Sequence, residues 1–294
     1  MQFKNPVVMA SGTFGFGREY SEFYDLSLLG GICVKGLTMH PQQGNNPPRI
    51  AETPMGMLNS VGLQNPGVES FIRDELPFLH SYDTVIIANI SGNTVEQYAQ
   101  MAGMLSDAGV DMIELNVSCP NVKAGGIQFG TTTDGVAAVT EAAKRHSSAP
   151  VMTKLSPNVT NIAEIAKAAE SAGADAISLI NTLLAMRIDI NTRRPVLHNN
   201  TGGLSGPAIF PIALRMVWQA ATAVKIPVLG MGGIIDYSGA VEMMLAGAAL
   251  VGVGTACIAD PYAPIRIIKG IDEYMTGSGI RHVNELTGKV EPYN

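Results

Sequence analysis

The fold can be predicted from residues 227–254, which read PVLGMGGIIDYSGAVEMMLAGAALVGVG. Residues 227–230 form a short apolar run, and residues 238–246 carry apolar side chains three and four positions apart. A second apolar run follows at residues 250–254. An apolar strand, a helix and another apolar strand are typical of parallel strands joined by a crossover helix.

The same alternation extends along the whole chain. It predicts strands at residues 6–10, 31–36, 85–90, 112–117, 151–155, 176–181, 227–230 and 250–254. Helices are predicted at residues 95–108, 134–146, 161–172, 207–223 and 238–246, with Asp134, Asn161 and Ser238 as N-caps. Eight strands separated by helices indicate an α/β fold, a closed (βα)8 barrel that forms one domain over residues 1–294. An open doubly wound sheet is the competing fold, but no GxGxxG follows the first strand.

The composition argues against several classes of protein. Charged residues make up 15% of the 294 residues, and the net charge of −6 comes without a block of like charges, which disfavours nucleic-acid binding. The chain has no run that could span a bilayer and no signal-peptide pattern, so we expect a cytoplasmic protein. Cys33, Cys119 and Cys257 are too far apart for a disulfide framework or an iron–sulfur site, and no metal site is expected. The low charge content suggests that part of the surface is covered by a partner or by another subunit.

Two connections are too long to be plain loops. They comprise residues 37–66 and 183–206, and each follows the carboxyl end of a predicted strand. Barrels build their active sites at that end, so we expect both connections to be functional.

Polar residues recur at the predicted strand ends, where packing does not require them. They are Ser11, Lys35, Asn89, Asn116, Lys154, Asn181 and Thr182. A lysine within a short apolar strand is costly unless it is paired, so two lysines in matching positions suggest a bound anion. The alternative is that each lysine extends its amine out of the barrel to water.

Glycines follow the last two strands, at Gly232-Gly233 and at Gly254-Thr255. Barrels often hold a phosphate on backbone amides of these two loops, and glycine permits close approach. The alternative is that they only form tight turns. Their presence at both strand ends favours a phosphorylated cofactor.

Cys119 lies just past the fourth predicted strand, on a loop that contains proline and glycine, whereas Cys33 and Cys257 are interpreted as inert buried thiols. A cysteine in such a place can act as a nucleophile or as a base. The residues alone do not separate these two roles.

Four segments together resemble the dihydroorotate dehydrogenases, flavoenzymes of pyrimidine synthesis. The segments span residues 10–17 (ASGTFGFG), 59–66 (NSVGLQNP), 116–121 (NVSCPN) and 202–208 (GGLSGPA), and the resemblance runs from Lys4 to about Ile271. Cysteine rather than serine at position 119 is similar to the soluble class. The stretch around Arg194 and the sequence NVKAGG after the cysteine are similar to its NAD-linked type, class 1B. One departure is that only three residues precede Lys4, where the family usually has several.

The resemblance implies that FMN fills the barrel mouth. The flavin and ribityl chain would contact Ser11, Lys35, Gly36, Asn89, Asn116, Lys154, Ile180 and Gly206, and the phosphate Gly232, Gly233, Gly254 and Thr255. The pyrimidine would contact Lys35, Asn59, Ser60, Val61, Gly62, Leu63, Asn116, Asn121, Asn181 and Thr182. Asparagine suits a pyrimidine because its amide offers both a donor and an acceptor.

By the same resemblance, Cys119 removes the C5 proton of dihydroorotate while hydride passes from C6 to the flavin, and Lys154 stabilises negative charge on the reduced ring. The loop at Gly125-Gly126 is expected to close over the substrate. The chain has no motif for a second cofactor, so electrons are expected to pass to NAD through a partner subunit that carries FAD and a 2Fe–2S cluster. Two catalytic and two electron-transfer chains would form a heterotetramer.

Three alternatives stay open. One is the homodimeric type of the family that uses fumarate, and another is a flavoenzyme that reduces dihydropyrimidines. The third, from a different class, is a non-catalytic barrel that binds a phosphorylated ligand or serves as a scaffold for a partner.

Overall fold

In the computed structural model, which describes residues 1–117 and 129–293, eight short parallel strands close into a barrel. In chain order they are Val7–Met9, Gly31–Cys33, Val85–Ile90, Met112–Asn116, Val151–Lys154, Ala176–Leu179, Val228–Met231 and Leu250–Val253. Each strand pairs with the strands that precede and follow it in chain order. The first strand also pairs with the last, with Val7 opposite Val251, and this pairing closes the barrel. The predicted (βα)8 barrel is confirmed.

Helices surround the barrel and bury their apolar sides against it. The longer ones are Val95–Asp107, Thr133–His146, Ile162–Ser171, Phe210–Ala223, Tyr237–Leu245 and Ala263–Gly277. Shorter helical pieces are Val68–Ser70, Phe71–Glu75, Leu76–Leu79 and Ala256–Ala259, and 3-10 turns are Tyr20–Glu22, Leu26–Leu28, Phe129–Thr131, Pro207–Ile209 and Val283–Glu285. Two of these turns replace an α-helix between the first two strands. Within the described ranges, no helix has the length and apolar character needed to cross a membrane.

Several predicted strand ends differ from the structure by one to three residues. The second strand was expected to reach residue 36 but ends at Cys33, because the N–H of Lys35 bonds the carbonyl oxygen of Gly15 instead of a barrel strand. The seventh begins at Val228 rather than Pro227, since proline has no N–H to donate to a ladder. The sixth ends at Leu179 rather than at residue 181.

Two of the three predicted N-caps are wrong. Thr132, not Asp134, accepts the cap hydrogen bond from the N–H of Gly135, at 3.2 Å. Asp236, not Ser238, accepts from the N–H of Gly239. The predicted cap at Asn161 is confirmed, since its side chain accepts from the N–H of Ala163.

The two long connections pair with each other and form a four-stranded sheet, which we call the cover sheet. Its strands are Ile50–Thr53, Gly56–Asn59, Gly202–Ser205 and Leu183–Ala185, all antiparallel. A smaller hairpin pairs Ile188–Asp189 with Arg194–Pro195. The cover sheet lies at the carboxyl ends of the barrel strands, where its residues Ile50, Met57 and Asn59 line a cavity.

The barrel interior changes from apolar to polar toward the carboxyl ends of the strands. Alternate strand residues face the interior, so a step of two residues moves up the same side of the barrel. The interior side chains change from Ile87 to Asn89, from Met112 to Glu114 and from Met152 to Lys154. The apolar lower layer closes the barrel, and the polar layer lies just below the cavity.

Candidate active site

The cavity opens at the mouth of the barrel, between the strand ends and the cover sheet, and we call it the barrel-mouth cavity. All twelve residues predicted to contact the cofactor line it: Ser11, Lys35, Gly36, Asn89, Asn116, Lys154, Ile180, Gly206, Gly232, Gly233, Gly254 and Thr255. These residues come from all eight strand ends and from the end of the cover sheet. The barrel topology is therefore what brings together residues that are far apart in the chain.

Both predicted lysines reach this cavity. Lys35 follows the second strand, and Lys154 is the last residue of the fifth. The Lys154 side chain is almost fully buried. Its Nζ lies 3.4 Å from Ser11 Oγ and 3.8 Å from Glu114 Oε2. Lys154 thus does not extend its amine out to water, and it places a cation at the cavity wall.

Asn89 is fully buried at the cavity wall. Its Nδ2 donates to Glu114 Oε2 at 2.5 Å, whereas its Oδ1 has no hydrogen-bond partner among the described residues. A buried acceptor without a partner is costly in a folded protein. Asn89 is therefore ready to accept a hydrogen bond from an N–H group of a ligand.

Two asparagines predicted to bind the substrate contact each other at the cavity. Asn181 Nδ2 donates to Asn116 Oδ1 at 3.2 Å. The Tyr98 hydroxyl donates to the backbone carbonyl oxygen of Asn116 at 2.8 Å. The N–H of Thr182 donates to Asn181 Oδ1 at 2.8 Å. These bonds fix the orientation of both carboxamides before a ligand arrives.

Four of the five residues in the segment 59–63 line the cavity. They are Asn59, Val61, Gly62 and Leu63. Ser60 is fully buried and does not line the cavity, and its hydroxyl has no hydrogen-bond partner among the described residues. The resemblance places Ser60 among the residues that would contact the pyrimidine. In the structure its side chain does not reach the cavity, and only its position between Asn59 and Val61 supports such a contact.

Glycines form another part of the cavity wall. Gly206, Gly232 and Gly233 have φ angles of 99°, 127° and 77°, which L-residues with a side chain rarely adopt. Thr255 Oγ1 donates to Ser205 Oγ at 2.9 Å, and both residues line the cavity. This part of the wall offers backbone and hydroxyl groups without a carboxylate, which suits a phosphate.

Cys119 and Asn121 lie outside the described residues, as does the Gly125-Gly126 loop. Asn116, three positions before Cys119, is the last residue of the fourth strand and lines the cavity. The two other cysteines are buried: burial raises the pKa of Cys257, and burial together with the Glu114 charge raises the pKa of Cys33 well above its usual range.

Sequence reasoning missed Glu114, which bonds Cys33, Asn89 and Ser178 inside the barrel. A signal was present, since a glutamate in a strand that is otherwise buried is rare without partners. It also missed cavity residues of the cover sheet and of the segments that follow the last two strands, namely Ile50, Met57, Ser205, Ile235 and Ile258.

A family model described as dihydroorotate dehydrogenase matches residues 1–275 of the chain. The chain is 58% identical over 290 residues to a protein of Alkaliphilus oremlandii named dihydroorotate dehydrogenase B (NAD(+)), catalytic subunit. That alignment covers 99% of this chain and 96% of the relative. Proteins of the same name from Thermoanaerobacter pseudethanolicus and Geobacillus kaustophilus are 55% and 52% identical, over 99% and 98% of this chain and 96% and 93% of their own lengths.

Proposed function

The chain belongs to the dihydroorotate dehydrogenase family, and we propose that it oxidises dihydroorotate to orotate in pyrimidine biosynthesis, with electrons passing to NAD. The observation that carries this proposal is the barrel-mouth cavity. Two lysines and three asparagines meet there, on a chain that matches one enzyme family over residues 1–275: Lys35, Lys154, Asn89, Asn116 and Asn181. Cations and amides are the groups that an anionic pyrimidine requires.

We propose FMN as the resident cofactor, and the residues present fit it. Asn89 Oδ1 is buried without a partner, so the site lacks an N–H donor that a flavin ring can supply. Lys154 adds a buried cation on the same wall. When bound, FMN supplies a ring that accepts the hydride from the substrate. Asn89 and Lys154 would hold that ring.

The phosphate of FMN would bind at Gly232, Gly233, Gly254 and Thr255. At Gly233 a Cβ would lie 2.9 Å from the carbonyl oxygen of Gly206 and 2.8 Å from Phe210 Cβ. A side chain is therefore not tolerated where backbone must approach the phosphate. The hydroxyl pair of Ser205 and Thr255 supplies further polar contacts there.

The substrate would bind between the cover sheet and the asparagine pair. Asn116 and Asn181 are held by their mutual hydrogen bond and by Tyr98 and Thr182, so their remaining polar atoms are directed before the substrate binds. Such prior orientation lowers the entropy cost of binding and positions the reacting carbons. Lys35 supplies the cation for the carboxylate or a ring oxygen of the substrate.

We propose Cys119 as the base that removes the C5 proton of the substrate. Its support is its place three residues after Asn116, together with the burial of the other two cysteines. A positioned base typically contributes a factor of about 10² to 10⁴ to a rate.

The test is anaerobic reduction of bound FMN by dihydroorotate, followed by loss of flavin absorbance. Cys119→Ala is expected to slow this reaction by about 10² to 10⁴ while FMN stays bound. Cys257→Ala, which removes a cysteine outside the proposed chemistry, is the matched control. Reduction of Cys119→Ala at wild-type speed would rule out the base assignment. If dihydroorotate does not reduce the wild-type protein, the function itself is wrong.

A partner subunit is also proposed. The relatives' names contain the words "catalytic subunit", which describe one chain of an assembly. Ile235 and Ile258 line the cavity and also expose about half of their side chains. Exposed apolar side chains beside a redox site suit an electron-transfer partner. We propose that this partner carries FAD and a 2Fe–2S cluster and that two copies of each chain form a heterotetramer.

A further inference from the structure

A buried carboxylate lies inside the barrel just below the cavity, and nothing in the proposed function uses it. Glu114 is fully buried in the middle of the fourth strand and does not line the cavity. Burying a charged group without partners costs several kcal/mol, so its partners indicate why it is there.

The partners of Glu114 come from four other strands. Cys33 Sγ donates to Oε2 at 3.1 Å, Asn89 Nδ2 donates to the same oxygen at 2.5 Å, and Ser178 Oγ donates to Oε1 at 2.6 Å. Lys154 Nζ lies 3.8 Å from Oε2. An ionised carboxylate only accepts hydrogen bonds, and all of these neighbours are donors. The geometry thus matches an ionised Glu114 with both oxygens satisfied.

This arrangement fixes the orientation of Asn89. Because the carboxylate cannot donate, the Asn89 amide must direct its NH₂ group at Glu114. Its Oδ1 then faces away, buried and without a partner, next to Gly36, where a Cβ would come within 2.8 Å of it. Without Glu114 the two ends of this carboxamide would be interchangeable.

The same carboxylate holds Lys154. The Lys154 amine lies between Glu114 Oε2 and Ser11 Oγ, and both Lys154 and Ser11 line the cavity. A buried ammonium needs a countercharge, and no other described acidic side chain forms an ion pair with Lys154. Glu114 therefore offsets part of the positive charge that Lys154 presents to a ligand at this wall.

We propose that Glu114 is a positioning residue, which directs the Asn89 oxygen and the Lys154 ammonium at the flavin and lowers the affinity of the site for the reduced flavin. This inference rests on the proposed function through the identity of the cofactor. The reduced flavin carries more negative charge than the oxidised form, so a cation without its countercharge would favour the reduced form. Glu114 keeps this preference small enough for electrons to leave.

The test is the midpoint potential of FMN in the holoprotein, measured against reference dyes with a chemical reductant. Glu114→Gln keeps the shape of the side chain and removes its charge. We expect the ratio of the affinities for reduced and oxidised FMN to rise at least tenfold, which is about 30 mV for a two-electron couple. Glu141→Gln, on the exposed face of the helix Thr133–His146, is the matched control and should leave the ratio unchanged.

Glu114→Asp separates charge from packing, because it keeps the carboxylate and loses one methylene. We expect its affinity ratio to stay within threefold of wild type. A shift in Glu114→Asp as large as in Glu114→Gln, or an unchanged ratio in Glu114→Gln, would overturn the proposal. If Glu114→Gln loses FMN, retention by Glu114→Asp still supports the role of the charge, and loss from both variants overturns it. Since the reductant is not dihydroorotate, failure of the proposed reaction would be seen separately.

Discussion

Inside the barrel, Cys33 Sγ donates a hydrogen bond of 3.1 Å to Glu114 Oε2, although the third strand separates the strands that carry them. The contact passes through the interior rather than along the sheet. Burial and the neighbouring carboxylate both raise the pKa of Cys33 well above its usual range. Cys33 is buried, and it joins the apolar lower layer of the barrel to the carboxylate of the polar layer.

This relationship predicts how stability depends on pH. The pKa of Cys33 is higher in the folded than in the unfolded chain. The protonated thiol therefore makes its full contribution to the free energy of unfolding below the pKa of the unfolded chain, about 8.5. That contribution is lost as the pH rises toward the pKa of the folded chain. Cys33→Ser keeps a donor for Glu114 but does not titrate. Above pH 9 the free energy of unfolding of the wild type should fall by up to about 1.4 kcal/mol per pH unit relative to Cys33→Ser. Urea unfolding at each pH measures the difference. Between pH 6 and 8 the two curves should run parallel, and a parallel course above pH 9 would contradict the prediction.

Gly233 is expected to tolerate no side chain. Its φ is 77°, and a Cβ would meet Phe210 Cβ at 2.8 Å and the Gly206 oxygen at 2.9 Å. Gly233→Ala should lower the free energy of unfolding by about 1 to 3 kcal/mol and weaken FMN binding. Chemical unfolding and fluorescence titration with FMN measure these effects.

The matched control is Gly277→Ala, at the end of the helix Ala263–Gly277, where a Cβ would have no neighbour within 4 Å. This change should leave FMN binding as it is and not lower stability. Equal effects at the two glycines would argue against a constrained phosphate loop.

Lys154→Met should destabilise the protein. It should also shift the midpoint potential of the bound flavin in the direction opposite to the shift expected for Glu114→Gln. Removal of the ammonium leaves Glu114 buried without its cation, which typically costs about 3 to 5 kcal/mol. Loss of the cation also makes the reduced flavin less favourable, so the midpoint potential should fall. Lys167→Met, at an exposed position of the helix Ile162–Ser171, should change neither quantity. A higher potential in Lys154→Met would contradict the assigned role.

The chain alone should reduce its FMN with dihydroorotate but transfer electrons to NAD very slowly. The expected reason is that the partner subunit supplies the path from FMN to NAD. An artificial dye acceptor should restore turnover, which shows that the first half-reaction is intact. Rapid NAD reduction by this chain alone would rule out the partner, and rapid fumarate reduction would favour the homodimeric type of the family.

Ile258→Glu should weaken binding of that partner at least tenfold. Ile258 exposes about half of its side chain beside the cavity, where a charge would have to be desolvated in an interface. Trp218→Glu changes a similarly exposed side chain on the outer helix Phe210–Ala223 and serves as the control. Titration with the partner subunit measures the two affinities. Equal affinities of the two variants would place the interface elsewhere.

The eight barrel strands could be predicted from sequence because each is a short apolar run buried on both sides. Their ends could not, since the last residue of a ladder depends on a partner elsewhere in the chain. Lys35 is not part of the second strand because its N–H donates to the carbonyl oxygen of Gly15, twenty positions earlier. At the helix starts, Thr132 and Asp236 compete with equally suitable neighbours, and only the backbone conformation decides between them.

The candidate site was predictable where the resemblance or the glycine pattern marked it. Glu114 is conspicuous in the sequence as a glutamate within an apolar strand, but its partners were not predictable. The donors Cys33, Asn89 and Ser178 come from three different strands, and their meeting depends on barrel closure. The two long connections were expected to be functional, but their pairing into one sheet depends on hydrogen bonds between segments more than 140 residues apart, such as Asn59 with Gly203.

The cover sheet limits how the cavity can open to admit a substrate. Backbone bonds join Gly56–Asn59 to Gly202–Ser205, so the roof over the cavity is a single plate rather than two independent flaps. One half cannot lift while the other stays in place unless a ladder of hydrogen bonds breaks. Any opening of the cavity on this side would therefore have to move both long connections together, so the roof contributes rigidity rather than two separate gates.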